Sequence, residues 1–262
     1  MIKFFRKIKH RLLSEGRKRK LSKFAIGITI AFLITACKNS NENPTKPNEH
    51  NLPVVQKEMW EEPRHQLILS KSGIKVIDVR IPPKDTTEYH LHNRATLYNL
   101  INDANLATQE YGKEWSFKTA KQYRKSGFFL NLSKEYILNN SYHRVANIDT
   151  TTFHLIGIVN TENYKDTEKE SFDDWFIKHQ IEVDKMKRSE LIEFDNPVLI
   201  IQNSIGESSI IKENVIHSFK SEAGAVTWIP TKTQFKLINN SNATINYNII
   251  ELKDLINTHT NE

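Results

Sequence analysis

Cysteine is all but missing from this chain: Cys37 is the only one in 262 residues. No disulfide framework can be built from a single thiol, and an oxidising compartment is allowed by that absence but not demanded. Glycine is scarce as well, at eight residues. A phosphate-cradling glycine loop has little material, and no Gly-x-Ser-x-Gly elbow or Cys/His nucleophile arrangement occurs. Acidic excess is absent too, but the formal charge of +6 is a local effect. Ten Lys or Arg against Glu15 alone fall within residues 1–24, which leaves the remainder net acidic at −3. A basic segment confined to one terminus does not describe a nucleic-acid surface, so no nucleic-acid partner is expected.

Long apolar runs are likewise lacking. Residues 24–36, FAIGITIAFLITA, make a run of 13, short of the about 20 that span a bilayer. A basic segment, a short apolar segment and small residues before a cut site have the anatomy of a secretory signal. The stretch LITAC at 33–37 resembles the bacterial lipobox, whose cysteine is lipidated and becomes the mature N-terminus. That resemblance implies export and a palmitate-type acyl anchor at Cys37, on the periplasmic or outer-surface side of the cell envelope. The other reading is a free thiol in a short membrane anchor. Residues 38–53, KNSNENPTKPNEHNLP, are too poor in apolar side chains to pack a core and read as a tether.

From Trp60 onward the chain is patterned for strands. IKVIDVRI at 74–81 alternates before Pro82 and Pro83 end it. Further runs occupy 143–159, 197–202, 225–230 and 235–252. Many short strands with frequent turns predict an all-β sandwich, barrel or jelly roll. Helix is expected mainly in the charged connection 161–175. The run also repeats itself. Residues 143–158 align with 235–250 at an offset of 92, bringing Asn147 onto Asn239 and Phe153 onto Ile245. Residues 79–93 align with 181–195 at an offset of 102, bringing Ile81 onto Val183. Two copies with shorter loops in the second are therefore expected.

Two histidines, His90 and His92, stand one residue apart in EYHLHN. Alternate strand residues face one way, so both rings project to one side. Across 62–92 and 142–157 the chain resembles a cupin of the two-cupin type. The family's first motif is His-x-His followed by Glu, and its second carries one more histidine ahead of an Asn-containing turn. His90, His92 and His143 match the three histidines. The glutamate should fall near Thr96 or Leu97, and neither is a carboxylate. The resemblance thus implies a three-histidine site, as in cupins that include iron-dependent thiol dioxygenases. It also implies tandem jelly-roll (double-stranded β-helix) halves: a signal peptide at 1–36, a tether at 37–59, an N-terminal half with the trio at 60–160, a connection at 161–175 and a degenerate C-terminal half at 176–262.

Imidazole suits transition ions rather than Mg or Ca, so one divalent Fe, Zn, Ni or Mn ion is the expected cofactor, with Cu equally compatible by ligand type. The alternative is that the trio lines a polar barrel mouth and holds no metal. Glu88 is either a rim salt bridge or a substitute ligand. Applied to the trio, the two offsets give Ile192, Phe194 and Phe235, so the second copy should hold no metal. His10, His50, His65, His154, His179, His217 and His259 show no ligand spacing, and Trp60, Trp115, Trp175 and Trp228 read as packing. Two functions stay open: a membrane-anchored module binding a small polar molecule at the metal site, and a metal-dependent oxygenase, isomerase or lyase acting on a small acid or sugar derivative. A monomer is compatible with two halves that pair within one chain.

Overall fold

In the computed structural model the described residues are 56–118, 124–162, 172 and 174–253. The signal segment, Cys37, most of the tether and most of the connection expected to be helical lie outside them. Residues 48–262 form one compact unit.

Its first half contains β1 (His65–Lys71), β2 (Ile74–Ile81), β3 (His90–His92), β4 (Ala95–Asn102), β5 (Leu106–Glu110), β6 (Ser116–Lys118), β7 (Phe129–Asn131), a helix α1 (Ser133–Asn139), β8 (Ser141–Asn147) and β9 (Phe153–Asn160). The second contains β10 (Phe176–Val183), β11 (Val198–Gln202), β12 (Ser208–Lys212), β13 (Val215–Ser218), β14 (Val226–Ile229), β15 (Phe235–Asn239) and β16 (Ile245–Leu252). In the first half one sheet runs β1-β2-β9-β4-β7 and the facing one β3-β8-β5-β6. From β2 the chain thus passes back and forth between two antiparallel sheets, β2 pairing with β9, β4 with β9, β3 with β8 and β5 with β8, which is jelly-roll topology. The second half repeats it as β10-β16-β11-β14 opposite β13-β12-β15. The chain is all-β, with two tandem jelly-roll halves.

The duplication holds at the level of single hydrogen bonds. Asn147 Nδ2 donates to the carbonyls of Ile81 (2.8 Å) and Thr151 (2.7 Å). Asn239 Nδ2 donates to those of Val183 (2.8 Å) and Ala243 (2.7 Å), the residues that the same offsets select. Both amides are buried, and each pins the corner between the last two strands of its half to the end of β2 or β10. Turn residues Lys84 (φ 62°) and Met186 (φ 56°) also correspond. The difference in offset arises partly at α1, which sits between β7 and β8 and has no counterpart between β14 and β15.

Strand faces explain the apolar runs. On β2, Ile74 and Val76 point out of the first barrel while Ile77, Val79 and Ile81 point in. The outward set joins Leu97, Ile156 and Ile158, and packs against Leu199, Ile201, Ile250 and Leu252 from the second half. The large sheets therefore lie back to back, buried on both faces, which is why VLIIQ and FHLIGIV lack alternation. Trp175, placed in the connection by sequence, is fully buried in this shared core. Its indole donates to Ser133 Oγ on α1 at 3.3 Å. Asn248 Nδ2 donates to the Asn99 side chain and to Gly127 O, and Asn99 Nδ2 donates to Asn203 Oδ1 (2.9 Å).

Two features carry no sequence signal. A helix, α1, occupies 133–139 in the first barrel, while most of the connection, where helix is expected, lies outside the described residues. Residues 57–61, at the end of the segment read as a tether, strap across β3. Leu91 N donates to Lys57 O (2.8 Å), Glu58 bridges Leu91, and Met59 is 1% exposed inside the first core. An apolar side chain at 59 and a backbone edge on β3 supply what the Asn-rich residues lack. Among the described residues no helix is long and apolar enough to cross a membrane.

Candidate metal centre

The trio is assembled by one strand pair. β3 runs antiparallel to β8 with His90 opposite His143. The two-residue period then turns His90, His92 and His143 inward while Leu91 points away. His90 and His92 ring centroids lie 4.8 Å apart, His90 and His143 5.2 Å, and His92 and His143 4.5 Å. One ligand atom from each ring lies within 4.8 Å of the others.

The other nitrogen of each ring is engaged, and for His90 its partner fixes the tautomer. His90 Nδ1–H donates to Glu88 O at 2.8 Å, since a carbonyl can only accept. Ser141 Oγ shares a hydrogen bond with His143 Nδ1 at 2.7 Å and reaches Glu110 Oε1 at 3.2 Å. Tyr98 Oη shares one with His92 Nδ1 at 3.2 Å and stands 3.5 Å from Tyr136 Oη. With Nδ1 of each ring turned to an outer partner, the Nε2 side of each ring faces the cluster. His92 Nε2 is buried with no hydrogen-bond partner, the kind of orphan that a bound group accounts for. Metal ligation through one ring nitrogen with the other donating outward is the usual histidine arrangement. The donor set fits a transition ion.

Burial keeps the His90 and His92 rings neutral, as ligation requires. It lowers His90 to about 3, helped by the nearby His65, and pushes His92 well below the ordinary histidine value, helped by His143 and His90. Burial also raises Tyr98 well above the usual phenol range and Tyr136 to about 12, so both remain protonated.

No carboxylate from β4 joins the trio. Thr96 bonds the Arg94 carbonyl (2.9 Å), and Leu97 faces the shared core. From β4 it is Tyr98 that turns inward, one residue past the positions expected for the glutamate. Glu88 does not substitute for it. Its side chain is half exposed and paired with Lys57, because β3 begins only at His90 and the alternation does not extend back to 88. What Glu88 contributes is its carbonyl.

Three residues without a sequence signal belong to the site. Tyr136, on α1, lays its ring 4.4 Å from His92. His65, read as an isolated polar residue, meets His90 edge-on at 4.6 Å and lines the same cavity. Its Nδ1–H donates to Met59 O (2.7 Å), and burial lowers it to about 4. Glu62, fully buried, accepts from Glu88 N (3.1 Å) and Arg64 N (2.6 Å), so it steadies the segment leading into β3. The remaining described histidines are polar partners elsewhere: His154 with Asp78 (2.8 Å), His179 with Glu251 (3.1 Å), and His217 exposed on β13. His10, His50 and His259 lie outside the described residues.

The trio opens onto a cavity of about 1030 Å³. In the second half Ile192 bridges Phe235, as His90 pairs with His143, and Phe194 stacks over Phe235 at 6.5 Å. These side chains pack with Val183, Ile200 and Tyr247 into a filled core. Among the described residues no second cluster of this kind occurs.

No family model matches the chain, and no curated protein does either. Among solved structures it is similar to AerE from Microcystis aeruginosa, at 14% identity and TM-score 0.47 over 73% of this chain and 98% of that one. It is similar to salicylate 1,2-dioxygenase from Pseudaminobacter salicylatoxidans, at 7% identity and TM-score 0.44 over 69% and 71%. It is also similar to the Bacillus subtilis oxalate decarboxylase studied for its Mn(II) centres, at 9% and 0.46 over 70% and 69%. The fold assignment rests on the strand topology of this chain itself.

Proposed function

We propose that the first barrel holds one divalent transition ion through Nε2 of His90, His92 and His143 and receives a small molecule in the cavity that adjoins it. The chain would be a two-cupin member with a degenerate second half, exported and held to the cell envelope by acylated Cys37. The observation that carries the metal reading is convergence: one ligand atom from each of the three rings lies within 4.8 Å of the others, and the buried His92 Nε2 among them has no hydrogen-bond partner. The outer nitrogens are held by Glu88 O, Tyr98 Oη and Ser141 Oγ, which fixes the rings in that arrangement. The ion would supply Lewis acidity and open coordination positions, since three protein ligands do not close its sphere.

Binding without turnover is the reading preferred for the site, because the two carboxylates bonded to the segments that hold the trio are committed. Glu110 accepts from Ser141, and Glu62 is buried among backbone donors. Turnover by a metal-dependent enzyme is the second reading, favoured by one feature: the Tyr98 and Tyr136 hydroxyls, protonated and beside a ligand ring.

Co(II) added to chelator-treated protein should give a visible spectrum that azide alters, because azide can enter only an open position. A Co(II) spectrum indifferent to azide would mean a closed structural site. The anchor is tested separately. Cys37→Ala should move the protein out of the membrane fraction or leave it uncleaved, and a mature protein that keeps Met1 would contradict acylation.

A further inference from the structure

The cavity beside the trio is not a polar cup. Its wall is made by inward faces of β2, β5, β7 and β9, which contribute Ile81, Leu106, Leu130, Phe153 and Leu155, with Leu132 just beyond β7. None of these side chains can donate or accept a hydrogen bond. The charged residues lining the cavity stand at its exposed edge and are mostly committed. Lys113 pairs with Glu110 at 3.7 Å, with side chains 71% and 47% exposed. Arg124 grips the buried Asp103 through Nε (3.0 Å) and Nη2 (3.3 Å). Polar groups of the lining gather at the histidine end, where the trio, His65, Ser141 and the Tyr98 and Tyr136 hydroxyls stand, and at the rim, where Glu135 and Asn139 join the charged residues; on the wall between them Thr108 of β5 carries the one hydroxyl.

That distribution discriminates between ligand classes. A sugar or a polyacid would carry hydroxyls or carboxylates along its whole length and bury them against carbon without partners, at a free-energy cost for each group. A molecule with one polar end and a hydrocarbon body would place the polar end at the metal and lose nothing along the wall. Resting on the metal reading above, we propose that the first barrel takes an amphiphilic ligand. It has a single oxygen-donor head directed at the His90/His92/His143 ion and an aliphatic or aromatic body packed on Ile81, Leu106, Leu130, Leu132, Phe153 and Leu155. The ligand that sequence leaves open, a small polar molecule or, for an enzyme, a small acid or sugar derivative, is narrowed by this proposal to one with an apolar body.

The test uses residues 48–262, the compact unit, loaded with Zn(II) and titrated calorimetrically with acetate, butanoate, hexanoate, octanoate and gluconate. Each methylene that leaves water for the barrel should tighten binding about fourfold. Gluconate, as long as hexanoate but hydroxylated throughout, should bind no better than acetate. Leu132→Asn should flatten the chain-length series while leaving Zn(II) content unchanged. Equal affinity for all the carboxylates, or gluconate binding more tightly than hexanoate, overturns the ligand class even with the metal in place. If no Zn(II) binds but octanoate still outranks acetate by the same steps, the metal reading fails and the apolar-body assignment stands. If no Zn(II) binds and chain length has no effect, both fail.

Discussion

His65 and His90 are held at about 4 and about 3 because burial removes the water that would stabilise their charged forms. Their folded values lie below the ordinary 6.5, so the unfolded chain takes up more protons as pH falls. The stability that these neutral rings contribute is complete above about pH 6.5 and is lost progressively as pH falls toward the folded values, by up to about 1.4 kcal/mol per pH unit for each ring. Chelator-treated protein should therefore keep its Tm from pH 8 to 7 and lose it steeply from 6.5 to 5, where carboxylates have scarcely begun to titrate. A Tm unchanged between pH 7 and 5 would contradict neutral, buried rings. At this scale the sequence was informative only where chemistry and spacing coincided. His90 and His92 announce themselves by alternation, and His143 through the family's second motif. Tyr98, Tyr136, His65 and Glu62 carry no mutual spacing, because β4, α1, β1 and the turn before β1 bring them together only in space.

The N-terminal strap is the element whose role was least visible beforehand. Lys57 O, the Glu58–Leu91 bridge and Met59 all bear on β3, which is three residues long and carries two of the three histidines. So short a strand has few ladder bonds of its own and depends on its neighbours. A chain beginning at Trp60, which sequence alone suggests should fold equally well, loses the strap and the buried Met59 side chain. It should be less stable than one beginning at residue 48 by about 2–5 kcal/mol, in line with deleting a large core side chain, and should bind Zn(II) more weakly. Equal Tm and equal affinity for the two chains would show that β3 needs no strap. The seven-residue α1 also escaped detection, since fewer than two turns leave hardly any 3.6-residue periodicity to read. The strands, by contrast, were largely legible, and the buried Asn147 and Asn239 corners correspond residue for residue.

At the scale of the whole molecule, the same topology is used twice with opposite interiors. The shared sheet-to-sheet core makes each half the wall of the other, and the second barrel is packed shut by Phe235, Phe194 and Tyr247. Duplication could be read from sequence because the loops changed length while strand registers did not. The back-to-back arrangement could not, since it follows from which strand faces are left apolar after the barrels close. The central claim, one metal centre in one half, is tested most directly by the number of metal ions bound per chain. One ion is expected for the wild type. Near zero is expected for His90→Ala, His92→Ala or His143→Ala, as two imidazoles make a poor chelate. Phe235→Ala should keep its one ion and instead lose about 3–5 kcal/mol of stability. Two ions per chain, or one ion that survives removal of all three histidines, would contradict that claim.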